Sequence, residues 1–145
     1  MRKTWSCLAI VLAACARHSQ PSRPSAGNAT AGIDSLNAAL VHAYRSHDPL
    51  AYAALYTDTA VFEWPAFSTV RGPAELGAMA RSNWASLNDM DLRLTVSTRR
   101  VAPDHATEFG RYVAFLLRQP DGSWRMDRFF GFEDSTRRLS GGRLP

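Results

Sequence analysis

The sequence predicts a single α+β domain, with about three helices and a curved antiparallel sheet. Three observations carry this. Apolar residues recur at helical spacing in the first half and at strand spacing in the second, without the regular alternation of helices and strands that a parallel sheet requires. Gln119-Pro120-Asp121-Gly122 separates two alternating runs and marks a hairpin. The chain has 145 residues, 46% hydrophobic and 21% charged, which suits one packed domain and not two.

Thr30 can cap a first helix from about Ala31 to Ser46, whose Ile33, Leu36, Leu40 and Tyr44 form one apolar stripe. Asp48-Pro49 reads as an N-cap followed by proline in the first turn, opening a short second helix to about Tyr56. Thr57-Asp58-Thr59 breaks it, and Ala60 to Pro65 is β-branched and aromatic, hence a strand. Residues from Pro65 to Arg71 read as a loop. Gly72-Pro73 opens a third helix, with Glu75 in its first turn and Leu76, Ala80, Asn83 or Trp84, and Leu87 along one face. Asp91 to Val101 alternates, with Leu92, Leu94 and Val96 on one side and Arg93, Thr95 and Ser97 on the other. Pro103-Asp104-His105 is a turn. Ala106 to Arg118 reads as one long strand, with Gly110 marking a bulge or bend, and Ser123 to Phe132 as the last strand.

A four-residue hairpin loop places Leu117 opposite Trp124. Leu117, Phe115, Val113 and Phe109 then share a face with Trp124, Met126, Arg128 and Phe130. The other face carries Leu116, Ala114, Tyr112 and Glu108 with Arg125, Asp127 and Phe129. Both faces are apolar enough to need cover, one by helices and one by a second copy, so a homodimer is expected.

The N-terminus reads as an address. Arg2 and Lys3 precede an apolar run from Trp5 to Ala14, too short for a membrane-spanning helix, where about 20 residues are needed. Leu12-Ala13-Ala14-Cys15 follows at once and resembles the bacterial lipobox. That resemblance implies cleavage before Cys15 and lipid on its sulfur. The expected organisation is a signal peptide at 1–14, a lipidated tether at 15–30, the folded domain at 31–134 and a loose tail at 135–145. With Ala16 rather than Asp after the cysteine, the resemblance implies a bacterial cell-envelope location, on the periplasmic side of the outer membrane in a Gram-negative host. Without Arg2 and Lys3, the 17 basic residues become 15, all arginine, against 13 acidic, and the net charge falls from +4 to +2. The folded part then has no cysteine and no lysine. Disulfides, thiolate metal sites, a cysteine nucleophile and lysine Schiff bases are excluded on that reading. A nucleic-acid partner is not expected, because a phosphate-binding face shows a larger positive excess. Arg99-Arg100 and Arg137-Arg138 read as solvated pairs.

The segments Leu55–Pro65 (LYTDTAVFEWP), Arg71-Gly72 and above all Gly110–Met126 (GRYVAFLLRQPDGSWRM) resemble the SnoaL-like branch of the nuclear transport factor 2-like superfamily. The likeness runs from about Ile33 to Asp134. It implies a cone-shaped, cystatin-like fold, a curved antiparallel sheet wrapped around about three N-terminal helices with a pocket, in a family whose members include isomerases, cyclases, dehydratases and non-catalytic binders. The stretch between the third helix and the hairpin reads one strand short of the commoner pattern.

Asp127 and Glu63 are the catalytic candidates. A carboxylate enclosed by Trp64, Phe62 or Phe129 would have a raised pKa suited to a general base. The alternative is a structural pairing, of Asp127 with Arg125, Arg128 or Arg111 and of Glu63 with Arg71. Arg128, if under the helices, needs an anionic partner from protein or ligand. Tyr44, Trp64, Trp84 and Phe130 could line an apolar pocket, or could each be ordinary core. His42 and His47 lie five apart, about 140° around a helix. His18 lies in the tether and His105 in a turn, so no metal is expected. Neither is a cofactor, because no phosphate-cradling glycine loop is present. The leading expectation is a lipid-anchored domain holding a small, mostly apolar molecule in a cavity of roughly 300 Å³ or more. The alternatives are an isomerase or cyclase using a pocket carboxylate, with Tyr44 or Tyr112 as hydrogen-bond donor, and a homodimeric interaction protein with no ligand.

Overall fold

The computed structural model describes residues 26–65, 68–85 and 92–132. Its order is α1 (Ala26–Arg45), α2 (Pro49–Ala53), β1 (Tyr56–Glu63), β2 (Val70–Arg71), α3 (Gly72–Trp84), β3 (Val96–Val101), β4 (His105–Gly110), β5 (Tyr112–Arg118) and β6 (Trp124–Gly131). Six strands form one sheet in the order β2-β1-β6-β5-β4-β3. Every pair is antiparallel except β1 with β6. The α+β class with three helices on one face of a curved, mostly antiparallel sheet is as expected. Register shifts in the β1–β6, β3–β4 and β5–β6 pairs supply local bends.

α1 begins five residues before the expected start, because the apolar stripe extends back to Ala29. Ala29, Ile33, Leu36, Leu40 and Ala43 are all buried. The helix ends with His47 at φ 51°, while the Asp48 N–H reaches back to the Ala43 carbonyl at 3.0 Å and the His47 N–H to that of Tyr44 at 3.3 Å. This is the left-handed helix stop usually made by glycine. α2 starts as expected. Asp48 accepts the Leu50 and Ala51 N–H groups at 3.0 and 2.9 Å, and Pro49 fills the first turn. Asp48→Ala is therefore expected to lower stability by about 1 kcal/mol, read as a shift in the urea midpoint without a change in slope.

β1 starts at Tyr56, not Ala60. Thr57-Asp58-Thr59 has turn-like composition, yet β1 lies between two neighbours in the sheet, and the Leu55 carbonyl already accepts the Met126 N–H at 2.9 Å. Tertiary pairing overrides local preference here. The expected loop before α3 contains the two-residue β2. Leu87 and residues 86–91 lie outside the described residues, as do the expected address, most of the tether and the tail.

The single long strand from Ala106 to Arg118 is two strands, corrected to the hairpin β4–β5 turning at Gly110-Arg111, with Phe109 opposite Val113. A Cβ on Gly110 would collide with the Thr95 carbonyl oxygen, so a glycine is required where β4 ends beside the start of β3. This hairpin supplies the strand that had read as missing between α3 and the 119–122 hairpin.

The last hairpin is one residue out of the expected register. Arg118, not Leu117, faces Trp124, and a shift between Phe115 and Leu116 restores the parity farther along. A one-residue slip exchanges faces. Trp124 and Met126 therefore turn inward and are buried with Ala106, Glu108, Tyr112, Ala114 and Leu116, and beyond the shift Phe129 joins them. Phe109, Phe115 and Leu117 stay on the outer face, 39%, 42% and 38% exposed.

Candidate functional site

The helices and the inner sheet face enclose a half-open cavity of about 160 Å³. α1 contributes Leu40 and Tyr44, α2 Tyr52, and α3 Met79, Ala80, Asn83 and Trp84. Tyr56, Phe62 and Trp64 come from β1 and its end, Phe129 from β6, and Leu92 and Leu94 from the segment before β3. Each reaches the site through the pattern of its element. Ala80 and Trp84 are one helical turn apart on the buried side of α3, and Tyr56, Ala60 and Phe62 point inward from β1.

The floor is a row of aromatic rings laid across three strands. Phe129 stacks on Phe62 at 5.3 Å and 7°, on Tyr112 at 5.3 Å and 16°, and on Trp64 at 6.5 Å and 10°. The roof is a cluster of edge contacts. Trp84 meets Tyr44 at 5.2 Å and Tyr52 at 5.5 Å, and the His47 ring lies over Trp84 at 5.9 Å. Trp64 is held flat against Gly131, where a Cβ would fall within the indole ring. Gly131→Ala is therefore expected to displace Trp64 and to cost about 1–3 kcal/mol. Thermal melting and the shift of the Trp64 indole resonance check it.

The polar groups in this wall are mostly tyrosine hydroxyls. Tyr52 and Tyr56 share a hydrogen bond of 2.8 Å, donated by Tyr56. Burial raises the pKa of both; the hydrogen bond received from Tyr56 partly opposes this for Tyr52, while for Tyr56 the charge of Tyr52 and the hydrogen bond donated to it add to it. Burial also raises Tyr44, partly opposed by the Trp84 indole N–H facing its hydroxyl. All three therefore stay protonated as O–H groups at neutral pH.

The candidate residues divide between the two faces of the sheet. Tyr44, Trp64 and Trp84 line the cavity. Phe130 and Arg128 do not. They lie on the outer face, where Phe130 makes an edge contact with Phe115 at 6.3 Å. Arg128 is not under the helices. It donates to the Thr59 and Asp127 carbonyls at 2.9 and 2.8 Å and pairs with the Asp127 carboxylate at 2.9 Å. Asp127 also accepts the Thr57 and Thr59 hydroxyls at 2.7 and 3.2 Å. Glu63 is exposed at the end of β1. The register shift and the outward parity of β1 thus turn both carboxylates away from the cavity, and its described lining contains no acid. Among the described residues no three of His, Cys, Asp and Glu gather as a metal site, and no helix is long and apolar enough to cross a membrane.

A second polar cluster lies beside the cavity, and the sequence did not single it out. Glu108 is fully buried on the inner face. Asn37 Nδ2 donates to both its oxygens at 3.0 and 3.1 Å, Arg99 Nε and Nη2 both reach Oε1 at 2.6 Å, and the Tyr112 hydroxyl donates to Oε2 at 3.2 Å. Arg99 Nη1 also pairs with Asp34 at 2.7 Å. Arg99 is thus corrected from a solvated residue to an internal partner, because it faces inward opposite Glu108 in the β3–β4 ladder. Burial alone would lower its pKa, but the hydrogen bonds to Asp34 and Glu108 outweigh this and hold it above the usual value. The only sequence signal was the parity that put Glu108 on the face of Ala114 and Leu116. Asn37, 71 residues away, gave none.

The sequence profile of the SnoaL-like domain matches residues 38–135, more than half of the chain. Solved structures share the fold. A domain of unknown function with a cystatin-like fold from Nostoc punctiforme is 14% identical, covers 81% of this chain and 85% of its own, and superposes with a TM-score of 0.65. A nuclear transport factor 2-like protein with a cystatin-like fold from Novosphingobium aromaticivorans is 22% identical over 78% of this chain and 88% of its own, with a TM-score of 0.61. A ketosteroid isomerase-like protein from Erwinia carotovora atroseptica is 22% identical over 68% and 91%, with a TM-score of 0.58. Comparison with curated proteins finds no match. With helices, sheet order, cavity and profile in agreement, the chain belongs to the SnoaL-like domain family of the nuclear transport factor 2-like superfamily.

Proposed function

We propose that this protein is a lipid-anchored cell-envelope protein whose SnoaL-like domain holds a small, mostly apolar molecule as a binder. One observation carries the binding reading: an aromatic-walled cavity lies between the helices and the sheet, and no acid lines it among the described residues. The space of about 160 Å³ is smaller than the expected 300 Å³. It is close to the engineered cavity of about 150 Å³ that accepts benzene, so the ligand is about one ring in size. The likeness to an isomerase-like protein brings isomerase chemistry into view. That chemistry would need a base, and Asp127 and Glu63 face the other way.

The anchoring half of the proposal rests on Leu12-Ala13-Ala14-Cys15 and the charged and apolar segments before it. Native mass spectrometry of the protein from its own host tests both halves. A chain starting at Cys15 with added diacylglycerol and a retained mass of about one ring is the expected result. An unmodified Cys15 overturns the anchor. Absence of a retained mass, together with no binding of single-ring compounds, overturns the binding reading.

The outer sheet face favours a homodimer as well. Phe109, Phe115 and Leu117 are exposed at its centre. Arg125 lies opposite Leu117, Arg100 on the ladder row of Phe115 and Glu63 opposite Phe130, so a two-fold copy can set opposite charges against each other. Phe115→Glu is expected to yield a monomer by light scattering. A wild-type protein that is already monomeric refutes the dimer.

A further inference from the structure

We infer that the outer edge of β3, with the groove between it and α1, docks an extended acidic segment of a partner protein as an added strand. β3 stands last in the sheet order, so no described strand pairs with its other side. The turn into β4 shows which backbone groups are left over. The Ala102 N–H donates to the His105 carbonyl at 2.8 Å, which makes this a hydrogen-bonded pair. Such pairs alternate along an antiparallel ladder. Arg100 with Thr107 and Thr98 with Phe109 are then bonded pairs. Arg99 and Val101, opposite Glu108 and Ala106, turn their N–H and C=O groups away from β4. The next ladder agrees. The Arg118 N–H donates to the Asp104 carbonyl at 2.8 Å, so by the same alternation Ala106 and Glu108 bond to β5. Arg99 and Val101 therefore offer a template to another strand.

Strand addition also needs pockets for alternate side chains. The flank of α1 runs beside this edge and leaves an open groove of about 780 Å³. Its apolar part is half-buried, with Val41 on α1 and Leu92, Leu94 and Val96 on the strand side. Exposed Arg45 and Arg93 also line it, and exposed Arg100 stands on β3 itself. Asp34 is the one acid in the described lining, and it pairs with Arg99. A strand that alternates apolar and acidic side chains matches both the apolar part and the arginines. Other occupants match less. A second copy across a two-fold axis at Arg99 or Arg100 would set arginine opposite arginine. Residues 16–25 of the chain itself hold Pro21 and Pro24, which cannot donate to a ladder, with Arg17 and Arg23 and no acid. Residues 133–145 hold three arginines against Glu133 and Asp134.

The test is an amide NMR titration of the isotope-labelled full-length protein with an end-blocked peptide of about six residues, alternating glutamate and valine. Binding is expected, with the Arg99 and Val101 amides shifting most and gaining protection from exchange. Lysine in place of glutamate in the peptide should weaken binding about tenfold or more. Val101→Pro removes one outward N–H and leaves the bonds to β4 in place. It should weaken binding about tenfold while the other amides keep their folded pattern. Peptide N-methylation makes the same test on the unchanged protein. One alternate set of methylated nitrogens should abolish binding and the other set should leave it. No binding of the glutamate peptide, equal binding of the lysine peptide, or binding that survives methylation of either set overturns the proposal. Protection of the Arg99 and Val101 amides without peptide also overturns it. If that protection survives dilution, the occupant is the chain's own segment, and if it fades, a second copy.

Discussion

Replacing Glu108 with alanine is expected to cost about 3–5 kcal/mol, enough to unfold a typical domain of this size or bring it near its threshold. The carboxylate is fully buried and is the shared acceptor for Asn37, Arg99 and Tyr112. Truncation leaves an internal guanidinium with only the exposed Asp34 as counter-charge, and takes the shared acceptor from two more donors. The cost is that of orphaned partners, not the net value of the pair. Glu108→Gln should therefore cost less, about 2–3 kcal/mol, because one carbonyl oxygen remains while the new amide points N–H groups at N–H donors. Chemical denaturation of both variants gives the comparison. A loss below 1 kcal/mol for Glu108→Ala would mean that the cluster is solvated and not the internal tie between α1, β3, β4 and β5 described above. Asn37 already hints at the strictness of the arrangement. Its amide must turn its nitrogen to the carboxylate, which leaves its buried Oδ1 without a partner among the described residues.

Phe129→Ala is the second large effect, about 3–5 kcal/mol. Phe129 is the central ring of the floor, stacked between Phe62 and Tyr112 and close to Trp64. Its removal takes away burial and ring contacts together, and the rings on either side cannot both close the gap from fixed strand positions. The same variant enlarges the cavity. Calorimetric melting should show the loss, and single-ring compounds should bind more weakly, because the surface they lie on is gone. Retained stability would show that Phe62 and Tyr112 collapse onto each other. Tyr112 also belongs to the Glu108 cluster, so the two sites meet at one ring, and the double variant should be non-additive.

How much of this was legible differs from one element to the next. The α1 stripe, the Asp48-Pro49 start of α2, the Gly72-Pro73 opening of α3 and the 119–122 hairpin were readable, because capping, helical period and turn chemistry act over a few residues. Tyr44, Trp64 and Trp84 come together in one cavity, since each is a large aromatic at an inward position of its element. Arg128 and Phe130 do not join them, for a single reason. Strand faces have a period of two, and the register shift between Phe115 and Leu116 leaves Asp127 as an extra residue, so Arg128 and Phe130 lie on the face opposite Trp124 and Met126 and not with them. Asp127 went the same way, onto Thr57, Thr59 and Arg128. A bulge has no reliable local signature, so no amount of care with alternation recovers it.

The sequence by itself determined the class of fold, the helix boundaries to within a few residues, the family, and the exclusion of lysine, thiolate and disulfide chemistry from the folded part. Those properties follow from local periodicity, capping and composition. Only the tertiary structure decided which aromatic rings meet, that both candidate bases face outward, and that Glu108 is the buried charge. Each of these depends on pairing between residues far apart in the chain, such as Asn37 with Glu108 and Thr57 with Asp127. That pairing is set by sheet register and by the close fit of the core, not by any short stretch of sequence.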